Sequence, residues 1–112
     1  MSDSERDLFP GALEMMILQI LRSSPLHGYA LAQHIKQISG ELLQVEEGSL
    51  YPALQRMLKA GAVAAHWGVS DTNRRVRIYR ITPAGRRQLA RETSSFERML
   101  EGIARVMKPV QP

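Results

Sequence analysis

Apolar residues along this chain change their spacing several times, and each change marks an element. Leu13, Met16, Ile17, Ile20 and Leu21 follow one another at i, i+3, i+4, i+7 and i+8, which predicts one apolar stripe on a helix of about three turns. Pro10 suits its first turn, and Ser23-Ser24-Pro25 ends it. A second helix is expected from about His27 to Ile38, with Leu31, Ile35 and Ile38 on its buried face and Ser39-Gly40 as its stop. Glu41 to Val45 then form a connector in which Leu42 and Val45 pack inward.

A third helix is expected over roughly Glu47 to Ala60. At 100° per residue, Leu50, Leu54, Met57 and Leu58 fall in one narrow arc and Gly48, Ser49, Pro52, Gln55, Arg56 and Lys59 in the opposite one, with Tyr51 at the border. The proline is accommodated most easily if Ser49 is the N-cap, so that Pro52 stays in the first turn. Gly61 is placed as the C-terminal stop.

Beyond it the period changes to two. Ala62 to Trp67 reads as a strand, Gly68 to Asn73 as turn chemistry and Arg75 to Ile81 as the return strand, with Tyr79 and Ile81 facing the domain body. Two strands alone are marginal in water, so this hairpin must pack on the helices. Thr82-Pro83 is an N-cap followed by proline at the first helical position, and opens a last helix that Pro109 stops near Met107. That helix is roughly 37 Å long at 1.5 Å per residue. Along it Leu89, Thr93, Phe96, Leu100, Ile103 and Met107 step by 4, 3, 4, 3 and 4, a heptad-like seam with one polar member.

The fold class expected is mainly α with a two-stranded β wing (α+β), a winged helix-turn-helix with a long C-terminal dimerisation helix. The expected domains are a flexible leader over 1–9, the winged unit over 10–82, the dimerisation helix over 83–108 and a tail over 109–112. With 112 residues the chain suffices for one modest core. Apolar content of 44% and charged content of 23% argue against disorder.

Charge sharpens this picture by position rather than by total. The net charge is +4, from 15 Lys and Arg against 11 Asp and Glu. Eight arginines lie between Arg74 and Arg98, acidic residues gather at Asp3–Asp7 and Glu41–Glu47, and no carboxylate occurs between Glu47 and Asp71. The third helix therefore offers Ser49, Gln55, Arg56 and Lys59 to a DNA major groove. Its hydroxyl and N-terminus would meet phosphate and its longer side chains base edges; the plainer reading is a solvated helix face. Arg74, Arg75, Arg77 and Arg80 crowd one hairpin and would repel unless an anion lay nearby, which a DNA backbone supplies. Asp71 or Glu92 is the alternative partner. Tyr29 either sits in the core or places its hydroxyl on a phosphate. Trp67 reads as packing, or as a platform for an aromatic ligand.

The last helix has more apolar face than so small a domain can cover. A second copy of the chain is the economical partner, through Leu89, Phe96, Leu100, Ile103 and Met107; folding back on the first helix is the alternative, and Met99 and Ala104 flank the seam.

Enzyme chemistry finds no support. His27, His34 and His66 form no H-x-x-x-H or H-E-x-x-H spacing, the serines no G-x-S-x-G elbow, and the glycines neither a phosphate loop nor a dinucleotide fingerprint. No metal or cofactor is expected. The absence of cysteine excludes disulfides and fits a reducing cytoplasm. No apolar run approaches the length of a membrane span, and the polar N-terminus lacks the features of a secretion signal.

Several motifs in order resemble the PadR family of transcriptional regulators: Leu26-His27-Gly28-Tyr29-Ala30-Leu31, Glu47-Gly48-Ser49-Leu50-Tyr51-Pro52-Ala53-Leu54, Leu58-Lys59-Ala60-Gly61, Trp67-Gly68, Asn73-Arg74-Arg75 and Tyr79-Arg80-Ile81-Thr82-Pro83-Ala84-Gly85. The match runs from about Phe9 to Gln88. The resemblance implies a cytoplasmic, homodimeric winged-helix protein that binds DNA, usually as a repressor; the twofold symmetry of such a dimer makes an inverted-repeat operator in double-stranded DNA the expected partner. It places Ser49, Tyr51 and Pro52 at the DNA-facing start of the recognition helix and Arg74 and Arg75 in the wing. The single C-terminal helix looks like the short form of the family. The effectors implied are small aromatic or drug-like molecules, and no residue of the sequence singles out a pocket for one. Two other functions stay open: a winged-helix module for protein–protein assembly, or a ligand-sensing dimer that does not touch DNA.

Overall fold

A computed structural model describes residues 11–109. The leader, Pro10 and residues 110–112 lie outside the described residues. Helix α1 (Ala12–Leu21) is followed by a short strand β1 (Leu26–His27), helix α2 (Gly28–Ile38), helix α3 (Glu47–Lys59), strands β2 (Val63–Val69) and β3 (Arg75–Ile81), and helix α4 (Pro83–Met107). This is the winged-helix arrangement, with one element more than expected. β1 pairs antiparallel with β3, so the sheet is three-stranded in the order β1-β3-β2 and β3 is its centre. Two residues carry no periodicity, which is why this strand is silent in the sequence.

The core forms where the three short helices meet the sheet. Ile17, Leu18, Leu31, Leu50 and Leu54 are fully buried, and Tyr79, Ile81 and Leu89 close it from the sheet and from α4. Leu18 therefore joins the apolar stripe on α1, while Met16 and Ile20 only border the core.

Two expected core residues face outward: Ile38 is 74% and Leu42 88% exposed. Ile38, still inside α2, borders an open apolar groove, whereas Leu42 is turned outward by the turn that precedes it. Gly40 and Glu41 both adopt left-handed φ (+63° and +64°), and the Ser39 hydroxyl accepts the Leu43 N–H at 3.0 Å. That turn abandons the helical period and brings Leu43 inward in place of Leu42, while Val45 is buried as expected.

Helix α3 has close to the expected span but a different N-cap. Glu46, not Ser49, is its N-cap, and Pro52 lies inside the helix. Proline there leaves the Gly48 carbonyl without its usual donor. Both residues are exposed, so the loss falls on the solvent side of the helix. At the other end Gly61 (φ +78°) donates to the Leu58 carbonyl and Ala62 to the Met57 carbonyl, a left-handed cap that turns the chain into β2.

Thr82 then locks three elements together. Its side chain donates to the carbonyls of Gly61 (2.6 Å) and Ala62 (3.0 Å) and accepts the Gly85 N–H at 3.0 Å as the N-cap of α4. Gly85 packs so closely on the Ala62 carbonyl that no Cβ fits there. The wing is thereby held at a fixed angle to α3.

Candidate nucleic-acid interface

The wing is longer than its sequence suggests. β2 runs to Val69, two residues past Trp67, and the turn is 70–74 rather than 68–73. Ser70 organises it: its backbone N–H donates to the Arg74 carbonyl at 2.8 Å, its hydroxyl accepts the Arg74 N–H at 3.2 Å, and Asn73 takes the left-handed φ of +62°. Gly68 is inside the strand, opposite Val76, because Ile78 occupies the space a Cβ would need.

This register decides which residues share a face. Trp67 is opposite Arg77 and Val69 opposite Arg75; Ala65 and Val63 face Tyr79 and Ile81 on the same side of the sheet. The face that begins in the core therefore ends in Trp67, Arg75 and Arg77. Arg80 belongs to the other face and is exposed. Of the four wing arginines expected to need a common anion, two are instead held by an aromatic ring. The Arg75 and Arg77 guanidinium carbons lie 4.5 and 5.9 Å from the Trp67 ring centroid.

Between this face and the starts of α2 and α3 runs a groove of about 750 Å³. Tyr29, Tyr51 and Gln55 line its helical side, and Arg74, Arg75 and Arg77 its wing side. Tyr51 can lie there because residue 28 is glycine: a Cβ on Gly28 would come within 2.8 Å of the Tyr51 ring. Burial, with smaller effects from Glu47 and Tyr79, raises the Tyr51 phenol above its ordinary value of 10.0, so the hydroxyl stays protonated and able to donate near neutrality. His27 caps α2, its Nδ1 accepting the Ala30 N–H at 3.4 Å. Tyr29 is 60% exposed rather than in the core, and its hydroxyl accepts from Gln33 Nε2 at 2.7 Å.

The other expected site residues are distributed along the outer side of α3. Pro52, Gln55, Arg56 and Lys59 are exposed and Ser49 is half-buried. Arg56 is drawn toward α1 by an ion pair with Glu14 at 3.5 Å. Neither Asp71 nor Glu92 pairs with a wing arginine among the described residues; Glu92 accepts from Gln88 instead. Gly28, Glu14 and the stacking role of Trp67 escaped sequence reasoning. Only the last left a signal, the alternation that sets Trp67 and Arg77 across from each other once the turn is placed correctly.

Along α4 the expected seam divides. Leu89 is buried against α1 and the core, Thr93 and Phe96 are half-buried, and Leu100, Ile103 and Met107 are exposed, joined by Val106 at 82%. The helix thus both folds back on α1 and leaves its far half uncovered within one chain. An apolar groove of about 460 Å³, lined by Met16, Ile20, Ile35 and Leu100 among others, continues that surface.

Residues 17–91 match the sequence profile of the transcriptional regulator PadR-like family. This chain belongs to that family. Within it, the chain is similar to the Mycobacterium tuberculosis transcriptional regulator Rv3488, 34% identical over 98 residues that span 88% of each protein. A transcriptional regulator from Clostridium thermocellum is similar in structure, with a TM-score of 0.82 and 29% identity over 96% of this chain and 100% of that one. Bacillus subtilis PadR, solved in complex with operator DNA, shares the fold at a TM-score of 0.64 and 23% identity, covering 72% of this chain and 47% of that protein. Transcription regulation is accordingly the function of the family to which this protein belongs. None of the described helices is long and apolar enough to cross a membrane.

Proposed function

We propose that this PadR-like regulator acts as a homodimer that binds an inverted-repeat operator and represses transcription. The observation that carries the reading is the shared face of α3 and the wing. Gln55 and Tyr51 border the same groove as Arg74, Arg75 and Arg77, and the stretch between Glu47 and Asp71 contains no carboxylate. In this reading the exposed side of α3, with Ser49, Pro52, Gln55, Arg56 and Lys59, enters the major groove, and the wing lies on the adjacent backbone with Tyr29 near a phosphate. Bacillus subtilis PadR, which shares the fold, is itself solved in complex with operator DNA, and that supports DNA as the partner.

The second copy is supported by the uncovered half of α4. Leu100, Ile103 and Met107, with Leu89 and Phe96 continuing the seam, would cover the partner's equivalent surface. In this reading the protein works in the cytoplasm. Relief of repression by a small aromatic or drug-like effector completes the proposal, and release of bound duplex on adding such a compound is its test.

DNA contact itself is tested by replacing Arg74 and Arg75 with alanine. Affinity should fall on every duplex sequence, and the salt dependence of binding should flatten by up to about 2 in log–log slope. An unchanged slope would remove the wing from the interface.

A further inference from the structure

Resting on the DNA-binding reading above, we infer that Trp67 is a positioning residue, a platform that holds Arg75 and Arg77 edge-on to the phosphates of one DNA strand lying in the groove between the wing and α3. The register fixes the platform in place, since Trp67 sits directly opposite Arg77 with Arg75 on the neighbouring diagonal. Both guanidinium groups share its ring, at 4.5 and 5.9 Å. Among the described residues neither arginine is paired with a carboxylate. The Arg77 Nε is buried and has no hydrogen-bond partner among them.

Because the Nε is closed off inside the protein, the terminal N–H groups are the part of Arg77 that can meet a phosphate. The planarity of guanidinium makes an indole the suitable holder. Stacking uses the flat face of the group and leaves the in-plane N–H edge open to phosphate oxygens, whereas a carboxylate partner would occupy that edge. The ring also restrains two long side chains before DNA arrives, which reduces the ordering that binding would otherwise require. Two cations near one electron-rich ring offset part of their mutual repulsion without neutralising either, and both charges remain available to a polyanion. Trp67 itself is 57% exposed and borders the groove, so an incoming strand passes over the ring's surroundings as well.

The experiment uses the full chain and a duplex that the wild-type protein selects from random sequence. Trp67→Leu should weaken binding about tenfold and lower the salt slope by about 1, since one phosphate contact contributes roughly 0.9. Trp67→Phe, which keeps a ring, should retain most of both. Adding Trp67→Leu to Arg75→Ala/Arg77→Ala should change nothing further. A Trp67→Leu protein with the wild-type melting temperature, affinity and slope overturns the inference. Should that variant not fold, the wild type still decides the matter. Trp67 is the chain's sole tryptophan, and its emission must change on saturation with duplex and must change less when Arg75 and Arg77 are alanine. Constant emission through saturation also overturns it. If the wild type selects no duplex at all, the DNA-binding reading fails first, which is a separate result.

Discussion

At the scale of single residues, three glycines show how differently one missing methyl group can matter. Gly28 gives way to the end of the Tyr51 side chain, which can rotate. Gly28→Ala should therefore change stability by less than about 1 kcal/mol, because helix propensity offsets the clash, yet weaken DNA binding by displacing Tyr51. Gly85 faces the Ala62 backbone carbonyl, which cannot rotate away. Gly85→Ala should cost about 2 to 4 kcal/mol in denaturant unfolding. Gly48 meets nothing within 4 Å and lies in the first turn of α3. Gly48→Ala should stabilise the protein by up to about 1 kcal/mol and, if α3 enters the groove as proposed, still lower DNA affinity by covering the open start of that helix. Equal affinity with a raised melting temperature would mean that no DNA backbone passes there.

Tyr51 adds a pH dependence whose sign is fixed by its environment. Burial first, then Glu47 and Tyr79, raises its folded-state value above the unfolded 10.0. Its contribution to stability is full below pH about 10 and is lost as pH rises through the folded value. Tyr51→Phe should flatten the alkaline decline of melting temperature; an identical decline in both proteins would contradict the assignment.

At the scale of elements, legibility followed periodicity and punctuation. The strand Arg75–Ile81 and the helix Pro83–Met107 have the boundaries that alternation, Thr82-Pro83 and Pro109 announce. The two-residue strand β1 has no period to detect. Leu42 faces outward because helical spacing does not carry through Gly40 and Glu41, where left-handed backbone ends it, and Ile38 keeps the helical period but borders a groove that one chain leaves open. Pro52 defied the expectation that proline stays in a first turn, since the carbonyl it orphans lies on the exposed side. The elements that carry the candidate site, α3 and the wing, were legible, but not how its side chains are held. A strand taken to end at Trp67 leaves the indole at the hairpin mouth, whereas two more residues set it against Arg77. Thr82 is the element-level joint that a measurement can isolate. Thr82→Ala should cost about 1 to 2 kcal/mol and Thr82→Ser much less, compared by chemical denaturation.

At the scale of the whole molecule, shape and surface point beyond one chain. The radius of gyration is 15.9 Å, with extents of 63 × 32 × 23 Å. A compact chain of this length would have a radius of about 13 Å. The excess is α4, whose far half extends from the body with Leu100, Ile103, Val106 and Met107 uncovered. Replacing Leu100 and Ile103 with polar residues should yield monomers in sedimentation, with DNA affinity falling because the second half-site is lost. Persisting dimers would place the contact elsewhere. Two subunits joined there would present two α3–wing faces related by a twofold axis, and a duplex site with matching symmetry is the partner that suits them.

Hydroxyl-radical footprinting on a duplex selected from random sequence tests that pairing most directly. Two protected backbone patches should appear, related by a dyad and centred about 10 bp or a multiple of it apart, each flanked by weaker protection where a wing lies. A single patch without a symmetric mate, or uniform cleavage along a bound duplex, would contradict it.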